Sequence, residues 1–225
     1  GQVLECHRNQ SVTIQCYCDF VQGVFGVGGP RYGNLAVISD SFDRELISSD
    51  IPDDCAGKVI VGGTNISADA LKTLANRKAV GVVTGSIDNH SLFEFLQFDL
   101  GIALTGDEDI PFTLIITEGF GSLSMSNRAR DIFIQNNGKV ASIDGTTQVR
   151  AGAVRPEIVI PIEGEADPSF ITNYSEGLTV GAHVRIIRAP YFGKLGTIAE
   201  LPVNLMKLPT GAHSRIALIN IGQEI

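Results

Sequence analysis

The sequence predicts an α/β layer carried between β-rich segments. Three observations lead there. Residues 1–55 and 180–225 alternate apolar and polar side chains in short stretches broken by Gly and Pro, the period of strands and hairpins. Residues 56–135 instead alternate short apolar runs with capped stretches of helical spacing, which predicts parallel strands joined by helices. A content of 25 glycines and nine prolines in 225 residues favours turns over long helices.

Taken in order, residues 12–16 (Val12-Thr13-Ile14-Gln15-Cys16) and 35–38 read as strands. The glycine string between them, residues 23–30, is expected as a bulge or tight turn. No capped amphipathic helix follows it, so it does not qualify as a phosphate loop. Lys58-Val59-Ile60-Val61 is a short buried strand ended by Gly62 and Gly63. Ser67 caps a helix whose Ala70, Leu71, Leu74 and Ala75 share one face. Residues 80–83 form the next strand, and Asp88 or Asn89 caps a helix through Leu92, Phe93, Phe95 and Leu96. Strands follow at 102–104 and 113–116, then a helix capped near Ser124 that buries Met125, Ala129, Ile132 and Phe133. Residues 140–143 and 157–162 return to strand, and 164–176 is the linker candidate. Beyond it, residues 184–186 and 214–221 are strands. This organisation divides the chain into a β-rich region over 1–55, an α/β domain over 56–163 and a β module over 176–225.

Composition excludes several classes. With 44% hydrophobic and 19% charged residues the chain can bury a core, so disorder, collagen and coiled coil are excluded. No apolar run approaches the ~20 residues of a membrane span, and no signal peptide is visible. Gly1 in place of an initiating Met marks the chain as processed, tagged or a fragment. The net charge of −8 disfavours nucleic acid as a general partner. From Val180 on, however, five cations face two acids, a net +3 that leaves −11 on the remainder. Cys6, Cys16, Cys18 and Cys55 lack the spacing of a zinc knuckle and are expected as reduced thiols of a cytoplasmic protein. No cofactor is expected.

Two resemblances add to this. Val180-Gly181-Ala182-His183-Val184-Arg185-Ile186-Ile187-Arg188, followed by Gly193-Lys194-Leu195-Gly196-Thr197-Ile198, resembles the KOW motif of transcription elongation factors and ribosomal proteins. The resemblance implies a C-terminal SH3-like barrel, its closing strand truncated at Ile225, that binds protein or ribonucleoprotein. Arg185, Arg188, Tyr191, Phe192, Lys194 and Arg215 are its candidate binding residues. Direct nucleic-acid binding through them is expected to be weak. The alternative is a barrel docked on its own chain.

The second is looser. Val82-Val83-Thr84-Gly85-Ser86-Ile87-Asp88-Asn89-His90, then Leu100-Gly101-Ile102, resembles the swivelling phosphohistidine domain of phosphoenolpyruvate-utilising enzymes. It implies a swivelling-type β/β/α layer and, as an alternative function, a phosphocarrier using His90. The family's paired glycines are here Gly85-Ser86, and Asn89 stands before the histidine. No nucleotide-binding partner domain is visible in the chain.

Further candidates come from the residues themselves. Gly119, Gly121 and Ser122 lie between a strand and a helix, where backbone N–H groups can hold a small anion, and Arg150 is a cation suited to the same ligand. With only two glycines in register and Glu118 opposing negative charge, a tight βα turn is the favoured reading of the glycines, and the stretch around Arg150 could equally fasten the layer to the next strands. Asp107, Glu108 and Asp109 read as a solvated acidic loop rather than a cation site. The expected function is non-enzymatic binding or scaffolding through the barrel.

Overall fold

The computed structural model describes residues 1–8, 11–96, 110–148, 154–162, 178–186, 191, 194–208 and 211–221. Two compact units divide it, Gly1–Ala166 and Asp167–Ile225. The division falls inside the stretch expected to be a linker.

In the first unit, β1 (Gln2–His7) and β2 (Ser11–Gln15) form a hairpin of their own. Then come β3 (Cys18–Gln22), β4 (Phe25–Val27), β5 (Arg31–Val37) and the short β6 (Glu45–Leu46). The α/β part follows as β7 (Lys58–Val61), β8 (Asn65–Ile66), α1 (Ala68–Asn76), β9 (Gly81–Ile87), α2 (Asn89–Leu96), β10 (Thr113–Phe120) and α3 (Asn127–Gln135). Strands β11 (Val140–Asp144) and β12 (Glu157–Pro161) close the unit.

Eight of these strands make one mixed sheet in the order β3-β12-β11-β5-β7-β9-β10-β4. Its centre, β5-β7-β9-β10, is parallel, as the strand–helix alternation predicts. The flanking strands are antiparallel. Strands from residues 1–55 and from 56–163 therefore share a single sheet. The glycine string contributes β4, an edge strand.

Both faces of the parallel strands are covered, which is why their sequences are almost continuously apolar. Ile60, Val82, Leu114 and Ile116 face α1 and α2 through Leu71, Leu74 and Leu92. Their neighbours Val59, Val61, Val83 and Ile115 face α3 through Ala129 and Phe133. Helices α1 and α2 lie on one face because the chain steps in one direction, β7 to β9 to β10, through same-handed crossovers. From β10 it returns to β11, on the far side of β5, and α3 covers the opposite face. The architecture is a β-rich α/β fold. No helix of the described residues is long and apolar enough to cross a membrane.

The second unit pairs β13 (His183–Arg185), β14 (Leu195–Glu200) and β17 (Leu218–Asn220) into an antiparallel sheet ordered β13-β14-β17. A separate ladder joins β15 (Met206–Lys207) to β16 (His213–Ser214). The single strand expected over 214–221 is thus split between two sheets. At Gly196 the strands approach so closely that a Cβ would sit 2.9 Å from the Asn220 carbonyl oxygen. That is the close approach expected of this glycine. The strand expected at 102–104 and the acids Asp107, Glu108 and Asp109 lie outside the described residues.

Candidate functional site

The carboxyl ends of β7, β9 and β10 gather the polar residues singled out in the first unit. Thr84 donates its hydroxyl to the Gly63 carbonyl at 3.1 Å, and Thr117 donates to the Thr84 carbonyl at 3.4 Å. Ser86, fully buried, lies 2.6 Å from the carbonyls of both Thr64 and Gly121 and accepts the Leu123 N–H at 2.9 Å. The turn containing Gly119, Gly121 and Ser122 is thereby fastened to the end of β9. Gly121 also gives its N–H to the Ile87 carbonyl at 3.0 Å. Both glycines have positive φ, 147° and 108°, so the bend needs residues without a Cβ. With Gly121 donating internally, the turn retains less of an anion's backbone cradle than its sequence suggests. Arg150 lies outside the described residues.

Two helices begin at this edge, and each N-terminus already holds a carboxylate. Asp88 caps α2. Its carboxylate accepts the Ser91 N–H at 2.8 Å and the Ser91 hydroxyl at 2.6 Å. Burial alone would raise the Asp88 pKa, but hydrogen bonds from Ser91, Asn65 and the His90 N–H outweigh it and hold the pKa below its ordinary value. Glu118 is buried in β10 and accepts the Ser126 N–H at 2.9 Å, at the start of α3. The expectation of a cap near Ser124 is corrected here: Ser126 occupies the cap position, its side chain makes no capping bond, and the oxygen comes from the preceding strand. Anionic groups are stabilised at helix N-termini by the unsatisfied N–H groups and the macrodipole. Both positions are filled from within the chain.

His90 follows the Asp88 cap with its side chain 86% exposed and Nδ1 3.8 Å from Glu94 Oε2. Lys72 bonds the same carboxylate at 2.7 Å and holds Glu94 below the usual carboxylate range. His90 therefore sits in a solvated charge network between α1 and α2. The structure brings His90 and the glycine turn to the same sheet edge, at the ends of β9 and β10.

The polar stretch after β11 has a fastening role. Thr147 accepts the Gly26 N–H at 2.8 Å, and Arg155 donates to the Val24 carbonyl at 3.0 Å. These bonds tie the stretch to β4 and its approach.

In the second unit, Arg185 lies in β13 opposite Leu195. Lys194 accepts the Ile186 N–H at 2.9 Å and donates its own to the Tyr191 carbonyl at 3.1 Å, closing the connection between β13 and β14. Tyr191 is 52% exposed, and Arg215 is exposed in the connection between β16 and β17. Arg188 and Phe192 lie outside the described residues. Sequence periodicity did not identify which apolar side chains of this unit are exposed: Leu178, Val180, Leu195, Val203 and Leu218 all face solvent. Ile198 is the one buried apolar side chain of the unit among the described residues. Strand alternation marks two faces but not which of them remains uncovered.

Comparison with protein-family models, with curated proteins and with solved structures gave no match. Assignment of a role rests on the geometry.

Proposed function

We propose that the chain is a non-enzymatic binding or scaffold protein whose second unit engages a protein or ribonucleoprotein. The observation that carries this is the set of exposed apolar side chains Leu178, Val180, Leu195, Val203 and Leu218, against Ile198 as the one fully buried apolar side chain among the unit's described residues. A small unit with several apolar side chains exposed gains stability when a partner covers them. Exposed Tyr191, with Arg185 in β13 and exposed Arg215, gives the aromatic-plus-arginine composition of an interface hot spot. The antiparallel β13-β14-β17 sheet and the close approach at Gly196 support a KOW-like SH3 barrel. The parallel layer supports a swivelling-type domain as its companion. The overall charge of −8 favours a protein surface over naked nucleic acid. Four free cysteines fit a reducing compartment, and we read the chain as cytoplasmic.

A phosphocarrier using His90, or an anion binder at Gly119, Gly121 and Ser122, has less support. The N–H groups of Ser91 and His90 that would receive phosphoryl oxygens are engaged by Asp88, and the Gly121 N–H by Ile87.

The test starts from the full chain used as bait in an extract of its source cells. The captured protein is then purified and titrated against wild type and Tyr191→Ala. Loss of affinity in the variant supports the proposal, and unchanged affinity removes this surface as the site.

A further inference from the structure

A pair of cysteines spans the joint between the amino-terminal hairpin and the large sheet. Strand β2 ends at Gln15 and β3 begins at Cys18, so Cys16 and Tyr17 make the whole connection. Tyr17 is held. Its carbonyl accepts the Ile162 N–H at 3.0 Å, one step beyond the Cys18–Pro161 pair of the β3–β12 ladder. The two cysteines therefore flank a residue that continues the ladder, and alternation along it sends both side chains to one side of the chain. Cys16 is also turned toward its neighbour. Its Sγ donates to the Tyr17 carbonyl oxygen at 3.4 Å, and that carbonyl belongs to the peptide group leading into Cys18.

Both thiols are free, Cys16 exposed and Cys18 half-buried. Two extended steps separate Cα atoms by about 6.6 Å. That is near the upper end of the roughly 4.4–6.8 Å that a disulfide spans. A bond between the two sulfurs is within reach, but closing it pulls on the ladder at Tyr17. Disulfides held in this way are the readily reduced, regulatory kind rather than the structural kind.

We propose that Cys16 and Cys18 form a reversible dithiol–disulfide couple whose oxidant is a small-molecule disulfide such as glutathione disulfide. Access sets the order of attack. The Cys16 thiolate attacks one sulfur of the oxidant, forms a mixed disulfide and expels one glutathione thiolate. Cys18 then gives up its proton and attacks the Cys16 sulfur, which closes the ring and expels the second glutathione thiolate. Two thiols are oxidised, one disulfide is reduced, and the two protons end on the two glutathione thiols. Burial, and then the charges of Cys16, Asp19 and Glu157, hold the Cys18 thiol above its ordinary pKa. Consumption of Cys16 removes one of those charges, so Cys18 ionises more readily in the mixed disulfide than in the free dithiol. Ring closure draws Cys16 and Cys18 together across Tyr17 and breaks the Tyr17–Ile162 bond. Redox state is thereby coupled to β3, an edge strand of the large sheet.

The full chain is equilibrated in glutathione buffers of rising oxidised fraction, trapped with N-ethylmaleimide and digested with trypsin. Cleavage after Arg8 and Arg31 isolates Cys16 and Cys18 in one peptide, away from Cys6 and Cys55. As the oxidised fraction rises, that peptide is expected to lose two hydrogens and both alkylation sites, and to regain them in reduced glutathione. The Ile162 amide exchanges faster in the oxidised chain. Cys18→Ser stops at a mixed disulfide on Cys16. A wild-type peptide that stays doubly alkylated in glutathione disulfide alone, that stops at the mixed disulfide, or that is linked to the Cys6 or Cys55 peptide overturns the proposal. A Cys18→Ser chain without an adduct on Cys16 overturns it too, and unchanged exchange at Ile162 in the oxidised chain overturns the coupling to the sheet.

Discussion

The Ser86 hydroxyl lies 2.6 Å from the carbonyl oxygen of Gly121, holding the end of β9 against the turn that follows β10. The Thr64 carbonyl stands at the same distance, and the Leu123 N–H donates to the same oxygen. Ser86→Ala leaves the Leu123 donor without its acceptor in a buried place. The expected loss is about 1–3 kcal/mol, the cost of an unsatisfied buried polar group. Denaturant unfolding checks it: the midpoint falls and the slope stays unchanged.

Gly85, one residue earlier in β9, is fully enclosed. A Cβ there collides with the Leu123 carbonyl oxygen and lies 2.9 Å from the Met125 N, both backbone atoms that cannot rotate away. Gly85→Ala is expected to cost at least about 2 kcal/mol through displacement of the segment leading into α3. Thermal unfolding of the variant measures this, and a wild-type midpoint would show that the segment yields freely.

Asp88 links the start of α2 to pH. Its folded-state pKa is depressed below the ordinary 3.8, so its contribution is present above that value and is lost as pH falls through the folded pKa. Asp88→Ala is expected to lose about 1 kcal/mol at neutral pH as a missing N-cap. Asp88→Asn keeps a capping oxygen and is expected to flatten the decline of stability below about pH 4. Stability curves of both variants from neutral to acid pH separate the cap from the charge.

The parallel layer was legible because its chemistry is local. Val59-Ile60-Val61 and Val82-Val83 are apolar on both faces, and Ser67 caps α1 by accepting the Ala70 N–H, as its position predicts. The joining of β3 and β5 to β12 and β11 in the same sheet was not, since periodicity assigns faces and not partners across long separations. Glu118 escaped for a related reason. A cap is sought at the residue before the helix, whereas this carboxylate arrives from the preceding strand. At His90 the residue type and its place before a helix were readable, but the filling of that helix terminus by Asp88 became visible only in three dimensions.

That filling leads to a prediction about His90. Incubation of the full chain with labelled phosphoenolpyruvate and an extract of its source cells is expected to leave no acid-labile phosphohistidine. A label abolished by His90→Ala would establish the phosphocarrier alternative instead.

Under the proposed function, Tyr191 and the exposed apolar side chains of the second unit bind a protein. That claim is tested most directly by titrating the captured partner against wild type and Tyr191→Ala at low and high salt. The account predicts that the variant loses about 2 kcal/mol or more, with little dependence on salt in either protein. An affinity that falls steeply with salt, and that Arg215→Ala weakens while Tyr191→Ala does not, would contradict it and assign the surface to nucleic-acid phosphates.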